Sequence, residues 1–400
     1  SFETERIGRP QVPCFIAYTN PRTHEIIRGG LDRSPLYTGV IQSVGPRYCP
    51  SIEDKVVRFP DRDRHQVFLE PEGIDSPEVY PNGIPTSLPE DVQRAFIRTI
   101  SGLERARILR LAYGIEYTFC PPRQLRATLE TRAVPGLYLA GQLNATTGYE
   151  EAAAQGLMAG INAALKIRGE EPLVLRRDEA YIGVLIDDLI SRDHVEPYRM
   201  FTSRAEYRLA LRHDTADMRL TGHGRRVGLI GGERWERFRR RNERIQGAIA
   251  AVAAARPRRE SLAAALERRG LPPSDKAATA GELLSRPELG WAALEEMGLA
   301  PQGLSEDEAL QVYLHFRYDG YLRKEAAQVE RFRRLEDKRI PDSFDVRTAR
   351  SLRKESMEKL ARFRPATLGQ AARITGVTPA DIAVLLVALK AHGERDVGRS

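Results

Sequence analysis

The sequence predicts an α/β or α+β region over residues 1–170 followed by an all-helical region to residue 400. Two observations carry this. Before residue 171, short apolar and β-branched runs alternate with Gly and Pro turns. After it, long stretches rich in Arg, Glu, Ala and Leu dominate, with Pro and Gly between them. Charge divides at the same place. Residues 1–170 hold 20 Lys and Arg against 20 Asp and Glu, so the whole surplus of +7 falls in residues 171–400.

In chain order, residues 14–17, 55–59 and 66–69 read as strands between turn residues, with Cys14 in the core of the first. Residues 90–100 read as a helix entered from a Pro-rich loop. Residues 137–140 read as a short buried strand ended by Gly141, and a helix is expected from about Tyr149, with Ala152, Gly156 and Gly160 as a small stripe packed on a sheet. Helices are then expected over 233–255, 261–269, 307–338 and 354–362. Thr367 caps a helix over 368–374, with Gly376 near its end. Thr378 caps the last helix, with Pro379 at its first position and Asp381 in its first turn. Ile382, Leu385, Leu386 and Leu389 give that helix one apolar face. A packed helix hairpin accounts for this pair more readily than a DNA-reading helix-turn-helix.

Composition bounds the function. With 42% hydrophobic and 29% charged residues, 400 residues make a globular protein of two or three domains. No apolar run approaches the roughly 20 residues of a membrane span, and residues 1–10 do not resemble a signal peptide. Three cysteines, Cys14, Cys49 and Cys120, show no CxxC spacing, which argues against a zinc site or a disulfide framework and for reduced thiols in the cytoplasm. The basic second half favours a polyanion such as RNA, although an arginine-rich surface also arises without a partner.

Three segments carry candidate chemistry. The first runs Gly136-Leu137-Tyr138-Leu139-Ala140-Gly141-Gln142-Leu143-Asn144-Ala145-Thr146-Thr147-Gly148-Tyr149-Glu150-Glu151. A strand, a glycine turn and a helix N-terminus together suit an anion, because N–H groups and the helix dipole point at it; flavoproteins hold flavin phosphates and the ribityl chain this way. An ordinary strand–helix turn has the same pattern. The second is Gly45-Pro46-Arg47-Tyr48-Cys49-Pro50-Ser51-Ile52-Glu53-Asp54-Lys55, a Gly- and Pro-fixed loop in which Arg47 and Lys55 would favour a Cys49 thiolate. An inert cysteine in a turn is the alternative. The third, residues 196–209 (EPYRMFTSRAEYRL), interleaves Arg and Tyr, either to meet phosphates and bases or to form an Arg–Glu–Tyr network between domains. Arg237, Arg239, Arg240 and Arg241 make a basic helix face. Residues 228–232 have glycines without the Lys-Ser/Thr of a phosphate loop.

Taken together, GPRYCPSIEDK at 45–55, AGQLNATTGYEEAAAQGL at 140–157, PYRMFTSRAEYRL at 197–209, EDKRIP at 336–341 and RPATLGQAARITGVTPAD at 364–381 resemble the MnmG/GidA family, block for block and in order. The resemblance implies an enzyme that adds a carboxymethylaminomethyl or aminomethyl group to carbon 5 of wobble uridine 34 in tRNA, using FAD and NADH, with an MnmE-type GTPase partner, as a homodimer. It implies a nicotinamide-binding segment over Gly45–Phe59, adding Val56, Val57, Arg58 and Phe59 to the loop above, with Cys49 as the catalytic thiol. A thiolate added to uracil carbon 6 makes carbon 5 nucleophilic. It also implies flavin contacts from Gly141, Gln142, Asn144, Thr147, Gly148 and Tyr149. The implied fold is the second part of a Rossmann-type FAD-binding domain with an inserted NAD-binding domain (residues 1–115, then 116–170), followed by a helical tRNA- and partner-binding domain over 171–400 whose last subdomain covers about 325–395. The family's amino-terminal GxGxxG turn does not occur in this sequence, so the chain is expected to start inside the inserted domain and to hold FAD weakly by itself. A folate- and FAD-dependent tRNA uracil-54 methyltransferase shares the flavin half but lacks the long helical region. A non-catalytic tRNA-binding scaffold is the alternative of a different class. A flavin disulfide reductase is disfavoured by the absence of CxxC.

Overall fold

The computed structural model describes residues 7–41, 50–192, 194, 196–273, 278–336, 338–349 and 351–397. They fall into two compact units. The first comprises Ser1–Cys120, Gly141–Ala152 and His194–Arg199; the second comprises Pro121–Ala140, Ala153–Asp193 and Met200–Ser400.

In the first unit, β1 (Phe15–Tyr18), β2 (Gln66–Pro71) and β3 (Val79–Asn82) form an antiparallel sheet in that order, with Ala17 opposite Val67 and Leu69 opposite Pro81. Helices α1 (Pro21–Arg28), α2 (Ile52–Arg58) and α3 (Glu90–Ile97) cover its inner face, and Ile27, Ile52, Val56, Val67, Val92 and Phe96 make the core. Helix α1 starts where Asn20 and Thr23 form a reciprocal capping box ahead of Pro21.

Sequence periodicity misassigned three places before residue 141. Residues 55–59 are not a strand but most of α2, because the Ser51 side chain accepts from the Asp54 N–H and Ile52 and Val56 share one buried face. Cys14 is exposed rather than core, since it precedes an edge strand that buries only Ala17. Residues 137–140 form no strand; Tyr138 makes a single bridge to Glu130, and no other described strand lies beside it to ladder with.

The second unit is helical. Helix α4 (Tyr149–Ile167) enters it at Ala153. Its buried positions include Met158, Ala159 and Leu165, while Gly156 and Gly160 face open space, so the expected small stripe is not a packing face. Then come α5 (Tyr181–Ser191), α6 (Ala216–Arg226), α7 (Gly232–Ala254), α8 (Arg259–Glu267), α9 (Ala280–Leu284), α10 (Trp291–Glu296) and α11 (Glu306–Glu336). Ile245, Val252, Leu284, Leu294 and Val312 form the core among α7, α9, α10 and α11. At Gly281 a Cβ would stand 2.5 Å from the Phe316 ring, so only glycine lets α9 lie this close to α11.

The last three helices, α12 (Lys354–Phe363), α13 (Leu368–Arg373) and α14 (Pro379–Val397), enclose their own core of Phe344, Leu360, Phe363, Leu368, Ile382 and Leu385. The caps predicted at Thr367 and Thr378 are present. Asp381 accepts from the Thr378 N–H at 2.8 Å and is clamped by Arg353 at 2.7 Å. Among the described residues no helix is long and apolar enough to cross a membrane.

Candidate functional site

The cysteine loop can be followed only in part. Gly45, Pro46, Arg47, Tyr48 and Cys49 lie outside the described residues. From Pro50 onward the segment turns into α2, which divides its residues sharply. Ile52, Glu53 and Val56 point into the core. Glu53 Oε1 accepts from the Ser87 N–H (2.9 Å) and hydroxyl (3.0 Å), and Ser87 pairs with Ser34 at 2.9 Å. Glu53 Oε2 is buried and has no hydrogen-bond partner among the described residues. Lys55 reaches back to the Gly83 carbonyl at 2.7 Å, and Asp54 accepts from the Tyr37 hydroxyl at 3.2 Å. Burial, then the Asp54 carboxylate, push the Tyr37 phenol up to about 12, so it remains a hydrogen-bond donor. Within residues 50–59, the side chains open to a ligand are those of Val57, Arg58 and Phe59.

The glycine loop is fully described. Gly141, Ala145 and Gly148 have φ of 74°, 51° and 113°, three left-handed turns in eight residues. The strain at Ala145, which carries a side chain, is held by pairing: Tyr198 N–H donates to the Ala145 carbonyl (2.7 Å) and Thr147 N–H to the Tyr198 carbonyl (2.9 Å). The Thr146 hydroxyl donates to the Asn144 carbonyl at 2.9 Å, and the Cys120 N–H to the Leu143 carbonyl at 2.7 Å. The loop thus delivers Gly148 to the N-terminus of α4, whose first-turn N–H groups have no acceptor within the helix. Asn144 and Thr147 are buried, Gln142 and Gly148 partly so, and Tyr149 is 94% exposed. Glu151 lies over Gly148, where a Cβ would meet Oε2 at 1.9 Å. This carboxylate, with Glu150 beside it, offsets the positive end of the helix dipole. Sequence pattern showed the glycines. It showed neither the left-handed Ala145 nor the pairing with Tyr198, which lies 53 residues further on.

The third segment contributes to the interior. Tyr198, Ala205 and Tyr207 are buried, and Glu206 pairs with Arg177 at 2.8 Å. Arg177 also holds Asp187 and Asp188 of α5, and Arg373 of α13 grips Asp187 through two nitrogens at 2.6 and 2.8 Å. An Arg–Glu network is one of the two readings of residues 196–209, and Glu206 takes part in one through Arg177; α5 and the reach to Arg373 carry no local sequence signal. On the basic helix face, Arg237 pairs with Glu233 and Arg239 with Glu236 and Glu243 inside α7, while Arg241 pairs with Asp217 of α6.

Comparison with known proteins places this architecture. A family model described as glucose inhibited division protein A matches residues 1–171. Models for the tRNA modifying enzyme MnmG/GidA C-terminal helical domain and C-terminal helical bundle match residues 232–326 and 328–399. The chain belongs to the MnmG/GidA family. The tRNA uridine 5-carboxymethylaminomethyl modification enzyme MnmG of Geobacter metallireducens is 55% identical over 395 residues, which is 98% of this chain and 63% of that protein. The enzyme of the same description from Streptococcus sanguinis is 49% identical over 385 residues, 96% of this chain and 60% of that one. Two crystal forms of Aquifex aeolicus GidA superpose with TM-scores of 0.79 and 0.78 at 43% and 46% identity, over 96% of this chain. Against these MnmG/GidA relatives the chain spans about three-fifths of their length.

Proposed function

We propose that this chain provides the nicotinamide-binding, flavin-contacting and RNA-binding parts of an enzyme that modifies carbon 5 of the wobble uridine of tRNA. The coarse reading, a protein of the tRNA uridine modification family, rests on family membership. The finer reading adds FAD and NADH, a GTPase partner of the MnmE type and a homodimeric enzyme. The observation that supports it best is the Gly141–Gly148 turn, held in a left-handed path by Tyr198 and opening on α4.

The residues present fit a flavin in part. Backbone at Gly141 and Gly148 carries no side chain that would block close approach, and Gln142, Thr147 and Tyr149 offer donors and acceptors around it. Glu151 over Gly148 repels a pyrophosphate, so this end suits the uncharged ring carbonyls and hydroxyls of a flavin rather than its phosphates. When bound, the flavin would supply hydride transfer. We assign the nicotinamide contact to residues 45–59, made through Val57, Arg58, Phe59 and the loop before Ser51. We assign the nucleophile to Cys49, whose thiolate adds to uracil carbon 6, carries electron density to carbon 5 for attack on a one-carbon electrophile, and leaves again as carbon 5 loses its proton. The helical residues 171–400, which carry the positive surplus, would meet tRNA and the GTPase.

The test is a titration of the purified chain with FAD, followed by the flavin absorbance, alongside a tRNA gel shift at two salt concentrations. Salt-sensitive retardation of tRNA is expected, with perturbed flavin bands. A chain that leaves tRNA unretarded at low salt refutes the reading. In the full-length enzyme, Cys49→Ser is expected to abolish modification and leave flavin bound; full activity in that variant removes Cys49 from the chemistry.

A further inference from the structure

The second unit contains a cavity of about 450 Å³ between α5, the end of α11 and α13. Its volume lies in the range of small-ligand sites. One wall is apolar, from Val174, Leu175, Ile186 and Ile190, and Tyr207 joins it. Five arginines and three carboxylates (Asp178, Asp187 and Glu206) complete the lining, an excess of two positive charges. The carboxylates account for four of the arginines. Arg177 holds Asp187 and Glu206, Arg373 holds Asp187, and Arg176 and Arg333 share Asp178. Arg339 is exposed and makes no ion pair with any described carboxylate, while its backbone is fixed by a bridge to Thr367. The cavity therefore combines an apolar slot, an aromatic side chain and a guanidinium with unspent donors. A planar guanidinium matches a phosphate, and a base has a face for the aromatic and apolar wall.

We propose that this cavity takes up one nucleotide, its base against the Leu175–Ile186 wall and Tyr207 and its phosphate on Arg339. This inference rests on the tRNA reading above, and within it the nucleotide belongs to a bound RNA strand; a free mononucleotide has the same chemistry.

Arg339→Glu and Ala372→Phe test it. Both positions are exposed, so neither change removes core packing, and melting curves of the variants serve as the folding control. Ala372 lines the cavity without carrying charge, and a phenyl ring there fills the slot. Each variant is titrated with a tRNA transcript across a salt series and with uridine 5′-monophosphate. Arg339→Glu is expected to weaken tRNA binding about tenfold and to lower the salt slope by about one. Ala372→Phe is expected to weaken it about fivefold with the slope unchanged, as loss of a stacked base would. Weakening by Arg339→Glu alone shows a diffuse basic patch and overturns the pocket. Tight tRNA binding by both variants also overturns it while the tRNA reading stands. If the unaltered chain binds the mononucleotide but not tRNA, and the variants lose it, the cavity holds and the tRNA reading falls. Binding of neither probe by the unaltered chain overturns both.

Discussion

Replacing Arg177 by methionine should destabilise the second unit by about 3 kcal/mol, at the low end of the cost of breaking a buried ion pair. The side chain is 8% exposed. Nη1 donates to Asp188 at 2.7 Å, Asp187 at 3.1 Å and the Val184 carbonyl at 3.3 Å. Nη2 reaches Glu206 at 2.8 Å and the Arg204 carbonyl at 3.2 Å. Burial alone would lower this guanidinium's pKa, but Asp188, Asp187 and Glu206 overbalance burial and hold it well above its usual value. Methionine keeps the apolar stem and removes the charge. Asp188, fully buried, keeps the more distant Arg192 at 3.2 Å among its partners, while Asp187 retains Arg373. These surviving contacts place the expected cost at the low end. At about 2–4 °C per kcal/mol, the melting transition of this unit should fall by roughly 6–12 °C. Calorimetry on the single variant, on Asp188→Asn and on the double variant closes the cycle, and the double variant should recover about 2 kcal/mol of the summed losses. A loss below about 1 kcal/mol for Arg177→Met, or no recovery in the double variant, refutes the view that Arg177 compensates a buried carboxylate.

Three further outcomes follow from the geometry. His24 and His65, with ring centroids 5.2 Å apart, are both held below their ordinary value of 6.5, first by burial and then by neighbouring cations. Their unfolded forms bind more protons, so the stability of the first unit is complete above that value and declines as pH falls below it; His24→Gln should flatten the decline in melts from pH 7 to 5, and an unchanged slope contradicts the assignment. Asp381 is held below the usual carboxylate range, first by Arg353, so its contribution is present above its ordinary 3.8 and lost as pH falls; Asp381→Asn should cost about 2 kcal/mol at neutral pH and far less in acid, measured by urea unfolding. Gly148→Ala forces a Cβ into the Glu151 carboxylate at a φ of 113°, and should weaken flavin binding about tenfold in an absorbance titration; unchanged affinity would separate this turn from the flavin.

Local rules written in adjacent residues were legible without a structure. The caps at Thr367 and Thr378, the helices α7, α8 and α11 to α14 and the glycine turn before α4 depend on spacing within a few residues, so the sequence determined them by itself. The family was legible for the same reason, because five blocks stand in order along one chain. Tertiary structure decided what depends on partners distant in sequence. Residues 55–59 have strand composition yet became helix once Ser51 capped them and the core accepted Ile52 and Val56. Residues 137–140 have the apolar content of a buried strand but, among the described residues, find one bridge and no ladder, and a strand exists only where another chain segment supplies its hydrogen bonds. Arg177 meets Glu206 29 residues away, and Arg373 meets Asp187 across 186 residues. No periodicity encodes such pairs, because the desolvation that makes them strong is a property of the assembled interior and not of either segment alone.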